Sequence, residues 1–411
     1  MSEVPEHPGG AARNEAEAFV LALGHALHVA GAPAHRLEAA IRELSPRLGI
    51  EARVFSSPTS ILASFGAPEE ARTALLRVEP AGVNLERMSQ LDELIDALGA
   101  GRCSVAEAGA RLAAIERAPN RYPAWLSVLS YGLASATVAR FLGGGPREIV
   151  AAAAIGLQTG ALAQLAFRSP AAARVFDWLA SLAAGLAAVA WAWAIGPMAA
   201  PVAAVSGLIV LVPGLALTVA LTELATRNLV SGTARLAGAG MTFLAIGFGL
   251  AIGARVAPLA SARVLTLPAE HLPGWTELLA LALSPIALTI GFRARPRDGW
   301  VILVSGAVAY AVARVGSNLG GPELGMLAAA FATGLLGNAY ARIARRPAAV
   351  PVVPALLMLV PGTLGVRSIS SLVERQVIPG VELLFTLVAV AGALAAGLLF
   401  ANLALPPRKA L

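Results

Sequence analysis

From Tyr122 onward the chain is a succession of apolar runs, each near the length of a membrane-crossing helix, joined by short loops. An α-helix rises about 1.5 Å per residue, so roughly 20 apolar residues cross the hydrocarbon core of a bilayer. Lipid offers no partner to a backbone amide, which leaves helices as the economical way to span it. Ten runs are present, near 123–142, 148–167, 175–195, 201–222, 233–254, 276–292, 299–314, 322–341, 348–368 and 380–404. With 57% hydrophobic and 14% charged residues and a mean hydropathy of +0.71, the chain holds more apolar surface than a soluble domain needs. The expected fold is a polytopic α-helical membrane protein with about ten transmembrane helices, preceded by a small soluble α/β domain.

Two of the ten runs are interrupted at mid-length by the same four residues. Leu-Val-Pro-Gly occurs at 211–214 in the fourth run and at 359–362 in the ninth. Proline removes a backbone donor and clashes with the preceding turn, and glycine adds a hinge. Carbonyls freed in this way are tolerated in a membrane only against protein or water. Five runs separate the two breaks, and an odd-numbered repeat must insert its second copy upside down. Residues 122–254 and 276–405 then read as two inverted five-helix repeats, with 255–275 as an outer loop. A lone Pro-Gly in a membrane helix is more often a packing kink. A matched pair favours a binding site, which nominates Pro213, Gly214, Thr218, Pro361, Gly362 and Thr363 for substrate binding. Ionisable residues inside a membrane are costly and mark pathways, so Glu223 and Glu374 are the proton-coupling candidates. Either can instead sit at the inner interface.

Charge divides the chain unevenly. Residues 1–121 carry 12 Arg and 16 acidic residues, and 122–411 carry 19 basic and 9 acidic ones. The basic residues of the second part stand singly or in threes between runs, the pattern of orientation charge and not of a nucleic-acid surface. With the amino terminus inside, the inner loops collect Arg168, Arg174, Arg227, Arg235, Arg293, Arg295, Arg297, Arg342, Arg345, Arg346, Arg408 and Lys409. Both termini are therefore expected in the cytoplasm of a multi-pass protein. The first 20 residues lack the basic start and apolar core of a signal peptide.

Residues 1–12 read as a disordered tail and 13–121 as the soluble domain. Helices are expected around 15–30, with Gly31 as C-cap, and at 35–49, 85–98 and 105–117, with strands at 51–56, 60–65 and 72–78. Gly31 and Pro33 separate His28 from His35, and neither a Cys cluster nor HExxH completes a metal site. Thr59 and Ser60 lack a partnered base, so a strand start is the better reading of PTSILASF. GGGPRE at 143–148 lacks the Lys-Ser/Thr of a P-loop and reads as a turn. The single cysteine, Cys103, cannot form an internal disulfide. No cofactor is expected, and an ion gradient is the default energy source.

Taken together, LVPGLALTVALTELATRNLVSGTARLAGA, SSPTSILASF, GVNLERMSQL, RYPAWLSVLSYGLASATVARFLGGG and the second LVPG after PVVPALLM resemble the bacterial threonine/serine exporter family. The resemblance covers roughly 14–400. It implies a ten-span, proton-driven exporter of small hydroxy amino acids with a soluble amino-terminal domain, set in a bacterial inner membrane. It carries over no residue list. The expected partners are a small-molecule substrate and membrane lipid, with no nucleic acid. The small-residue helices permit a homo-oligomer without requiring one. Two other readings stand beside the transporter: a membrane-anchored hydrolase using the soluble domain, and a membrane scaffold or sensor.

Overall fold

The computed structural model describes residues 8–67, 69, 71–80, 82–260, 269–359, 362–373 and 375–407. Several residues singled out above lie outside these: Pro361, Glu374, Arg408 and Lys409, and 1–7 of the expected tail. Residues 8–12 open the first helix.

The amino-terminal unit runs α1 (Pro8–Val29), α2 (Ala34–Leu44), β1 (Ala52–Ser57), β2 (Ser60–Phe65), β3 (Arg72–Arg77), α3 (Leu85–Gly99) and α4 (Val105–Arg117). The strands form one antiparallel sheet in the order β1-β2-β3, with Phe55 opposite Leu62 and Leu62 opposite Leu75. Alternation along β2 buries Ile61, Ala63 and Phe65 against the helices, as the two-residue period of a strand requires. Leu23 and Leu27 of α1, Leu37 and Ile41 of α2, and Leu91 of α3 fill the same core. Both later helices are capped by side chains: Asn84 accepts from Arg87 N at 3.0 Å, and Ser104 with Glu107 makes a capping box. The connection from α1 to α2 depends on Gly31, whose φ of +86° is left-handed. A Cβ there would stand 2.8 Å from the Val83 Cα. Asn84 N donates to the Ala30 carbonyl at 3.0 Å, so residues 30–33 and 82–84 form one ridge.

The helical part runs α5 (Ala124–Phe141), α6 (Pro146–Ala166), α7 (Pro170–Ile195), α8 (Ala200–Gly207), α9 (Gly214–Ala225), α10 (Leu229–Ala260), α11 (Trp275–Gly291), α12 (Gly299–Ala344), α13 (Ala349–Leu359), α14 (Gly362–Val373) and α15 (Val377–Ala404). Six stretches are long and apolar enough to cross a membrane, with α9 and α11 as shorter apolar helices. The protein is a multi-pass membrane protein. The run expected to end at 314 stays helical through 319, and its Gly/Ser-rich end does not break the helix. Gly320 (φ −154°, ψ 26°) and Gly321 (φ +86°) then interrupt α12. Nine residues of straight helix span about 13.5 Å, yet a Cβ on Gly316 would stand 2.8 Å from the Gly325 Cα. The chain therefore reverses there, and α12 is a helical hairpin.

Close packing of small residues holds the bundle together. α5 packs on α6 and α11, α7 on α10, and the second half of α12 on α15. α9 packs on α10 and α15, and α14 on α15 and α10. Where α7 meets α10, a Cβ on Gly253 would come 2.7 Å from the Gly185 Cα. Such approach maximises van der Waals contact, the main attraction left between helices in lipid. The α/β unit docks on one end of the bundle. Leu85 N and Glu86 N donate to the carbonyls of Phe292 and Arg293, at 3.0 and 3.2 Å. Glu93 pairs with Arg295 at 2.6 Å, and Tyr122 Oη donates to Ala294 O at 2.8 Å.

Candidate functional site

The first Pro-Gly break is a true interruption. α8 ends at Gly207, and α9 starts at Gly214 behind Pro213, which caps it with φ −82° and ψ 39°. Between them the backbone makes tight turns, Leu211 N to Leu208 O at 2.8 Å and Gly214 N to Val212 O at 2.8 Å. The carbonyls of Val210 and Leu211 accept no backbone hydrogen bond among the described residues. Val210 is exposed and Leu211 half-buried, so neither carbonyl is committed to the fold and both remain free to accept a donor from outside it. Ile209 through Pro213 form part of the wall of a cavity of about 400 Å³.

The rest of that wall comes from α9, α10 and four other parts of the molecule. α5 contributes Ser130, Tyr131, Thr137 and Phe141, and α11 contributes Ser284 and Leu288. Leu357 and Met358 come from α13, just ahead of the second break. The α/β unit adds Gly31, Pro33, Gly82 and Val83, the ridge described above. Ser130, Thr137 and Ser284 donate to backbone carbonyls of their own helices, so their lone pairs remain as acceptors. Arg235 is the charged side chain of the lining among the described residues.

Glu223 explains how Arg235 is held. The carboxylate is fully buried. Its Oε2 accepts from Arg235 Nε at 3.0 Å and from Ser231 Oγ at 2.8 Å. Its Oε1 accepts from Ala34 N at 3.0 Å, at the amino terminus of α2. A helix amino terminus is an electropositive end with unpaired amides, well suited to a carboxylate. Ser231 and Arg235 are four apart on α10 and share a face. One acid thus ties the α/β unit to α9 and α10, beside the cavity. Next to it, burial, with Arg36 and Arg235 nearby, pushes the His35 imidazole down to about 4, and its buried Nδ1 has no hydrogen-bond partner among the described residues. His35 lines a smaller cavity of about 150 Å³ together with Thr218, Thr222, Asn338 and Asn402.

At the opposite end of α5, Arg140 pairs with Glu277 at 3.4 Å. Glu277 also pairs with Arg314 at 2.8 Å and accepts from Tyr310 at 2.8 Å. Phe141 of the cavity wall packs on Tyr310, ring centroids 5.7 Å apart.

Of the residues nominated from sequence, Pro213 lines the main cavity. Gly214 is the buried first residue of α9. Thr218 is buried, with its hydroxyl donating to Gly214 O at 3.2 Å, and it faces the smaller cavity. Gly362 opens α14. Thr363 is half-buried in its first turn and lines neither cavity. Pro361 and Glu374 lie outside the described residues. Sequence reasoning missed Arg235, which it counted as orientation charge. The available signal was its spacing of four from Ser231 within a polar patch, SGTAR, at the start of an apolar run. Asp177 accepts from Thr242 at 2.9 Å and so links α7 to α10. Asn338 bonds Asn402 at 2.9 Å between helices. Ser60 bonds Ser57 at 2.8 Å at the head of the β1–β2 hairpin.

Comparison with known proteins gives a consistent result. A family model for a threonine/serine exporter matches residues 18–257, and a second threonine/serine exporter model matches 277–404. Pheromone-regulated membrane protein 10 of Pichia sorbitophila is 28% identical over 375 residues, covering 87% of this chain and 37% of that protein. Its namesake in Kluyveromyces lactis is 30% identical, covering 86% of this chain and 38% of the relative. An uncharacterized protein of Schizosaccharomyces pombe is 29% identical, with coverage of 87% and 49%. The chain thus spans less than half the length of these relatives. All three come from yeasts, whereas the sequence motifs resemble a bacterial family. No solved structure matches the chain.

Proposed function

Because the chain belongs to the threonine/serine exporter family, we propose that it is a secondary transporter carrying threonine, serine or a related small solute through the cavity at the broken helix. The observation that carries this reading is the unwound segment 208–213: residues 209–213 line a cavity of about 400 Å³, and the carbonyls of Val210 and Leu211 accept no backbone bond among the described residues. Ligand pockets have volumes of roughly 300–1,000 Å³. The carbonyls of Val210 and Leu211 suit an ammonium group, and the hydroxyl-bearing wall suits a small polar side chain.

Two inverted five-helix units are part of this reading. Exchanging α5–α10 for α11–α15 in order preserves the partners: α7 on α10 becomes the second half of α12 on α15, and α9 on α15 becomes α14 on α10. The shift of 148 that takes Pro213 to Pro361 also takes Arg227 to Arg375, left-handed at φ 65° and 66°. Transport then exposes the cavity alternately at its two ends, one covered by the α/β unit and the other bordered by the Arg140–Glu277–Arg314 cluster. The α/β unit and both termini face the cytoplasm in this scheme, because it docks where Arg227, Arg293, Arg295, Arg345 and Arg346 gather.

Proton coupling falls to Glu223. A proton arriving on its carboxylate cancels the attraction to Arg235, weakens the bond from Ala34 N, and loosens the α/β unit at the cavity mouth. Solute and proton occupancy are thereby linked.

The experiment is flux of a panel of labelled amino acids in proteoliposomes, with and without an imposed pH gradient. Saturable threonine or serine flux that grows with the gradient supports the proposal. Flux indifferent to the gradient removes Glu223 from the scheme, and the absence of flux across the panel removes the transporter reading.

A further inference from the structure

We infer that Arg235 is the carboxylate-recognising residue of the main cavity, so that the solutes it accepts carry a free carboxylate. The inference rests on the transport reading above and adds a chemical requirement to it.

Three observations converge on this residue. First, Arg235 is the charged side chain in a lining that is otherwise apolar or hydroxylic among the described residues. A fixed cation in such surroundings attracts an anion more strongly than it would in water, because less solvent screens it. Second, the guanidinium is held from one side only. Its Nε donates to Glu223, and neither terminal nitrogen donates to a described residue. Arginine presents five N–H donors in a planar fork, and the outer pair matches the two oxygens of a carboxylate. Third, the orientation is built in. Glu223 is fixed by Ser231 Oγ and Ala34 N, which stops the guanidinium from swinging away and lowers the entropy lost when an anion docks.

The arrangement also has an electrostatic logic. Glu223 neutralises Arg235 in the empty site, so a carboxylate in the cavity competes with Glu223 for one guanidinium or shares it across opposite edges. Lysine could supply the charge, but not two parallel donors while another carboxylate holds it. The zwitterion is then read at both poles: its carboxylate by Arg235, its ammonium by the main-chain carbonyls of the unwound segment.

The test uses full-length protein in proteoliposomes, with labelled threonine as the carried solute and unlabelled threonine or threoninamide as competitor. The two competitors share a side chain and differ at the carboxylate. Wild type should prefer threonine by at least about tenfold, the scale of one lost charge-assisted interaction. Arg235→Gln should abolish that preference, and Arg235→Lys should restore part of it. If Arg235→Gln fails to fold, the wild-type and Arg235→Lys ratios still decide. Equal competition by threonine and its amide in wild type, with threonine carried, overturns the assignment and leaves transport standing. An unchanged preference in either variant overturns it as well. If no amino acid is carried, the assignment and the transport reading fall together.

Discussion

The two apolar runs that carry Leu-Val-Pro-Gly finish alike in backbone and differently in chemistry. After the first break, α9 closes with Asn228 N donating to Glu223 O at 2.8 Å, and after the second, α14 closes with Gln376 N donating to Ser371 O at 2.8 Å. Both use an exposed left-handed arginine at the turn. Both bring the next helix back through a glycine pressed on a leucine: a Cβ on Gly232 would stand 2.7 Å from Leu224 Cγ, and one on Gly380 would stand 2.6 Å from Leu372 Cγ. The same shift that superposes these features sets Glu223 against Ser371 and Arg235 against Leu383. The lesson is a division of labour. Backbone devices are duplicated, whereas the Glu223–Arg235 pair beside the α/β unit has no counterpart at the shifted positions, which hold Ser371 and Leu383.

The largest contrast should come from removing the acid and its counterpart. Glu223→Ala leaves Arg235 and the α2 amino terminus without their partner in a buried setting, a loss of about 3–5 kcal/mol. Ser371→Ala should stay within about 0.5 kcal/mol of wild type. Thermal unfolding of the two variants in the same detergent measures the difference, and equal shifts would break the comparison.

A second contrast depends on pH. The native His35 imidazole titrates near 4 against 6.5 for a free one, so the folded protein keeps it neutral while the unfolded chain takes up a proton below 6.5. Stability from this group is complete above about pH 6.5 and declines as pH falls toward 4. At pH 5 the loss is about 2 kcal/mol. His35→Phe should flatten the decline between pH 7 and 5, followed by unfolding at each pH. The opposite slope would contradict the buried, neutral imidazole.

The smallest effect should be the same on both sides. Arg227→Gly and Arg375→Gly each relieve a left-handed backbone, a gain of roughly 0.5–1 kcal/mol after the entropy of glycine is counted. Unequal gains would show that the two turns are not the same device.

Much of the framework was legible in residue pattern. Strands expected at 51–56, 60–65 and 72–78 lie at 52–57, 60–65 and 72–77, because Pro58 and the Ala67-Pro68 pair punctuate the sequence between short apolar runs. The break at Pro213 was legible for the same reason, since proline acts on its own helix. The reversal in α12 falls at 320–321, inside the gap expected between 314 and 322, but the helix before it runs five residues further than expected, because glycine and serine lower helix propensity without forbidding helix between packed neighbours. The chemistry of the site was less visible. Glu223 and Glu374 stand at similar distances beyond their breaks and looked equivalent. Nothing local distinguishes an acid that receives an amide from residue 34 and a guanidinium from residue 235. Arg235 itself matched the pattern of a loop charge, and its role depends on the α/β unit folding back onto the bundle.

The central claim is that the unwound segment at the first break forms part of the path of the solute. Replacing Pro213-Gly214 with Ala-Ala favours a continuous helix and closes the carbonyls of Val210 and Leu211 into it. Efflux of preloaded labelled threonine from cells making this variant, with its folding verified by thermal unfolding, is the direct measurement. The account predicts a drop of at least about tenfold, and efflux equal to wild type from a folded variant would contradict it.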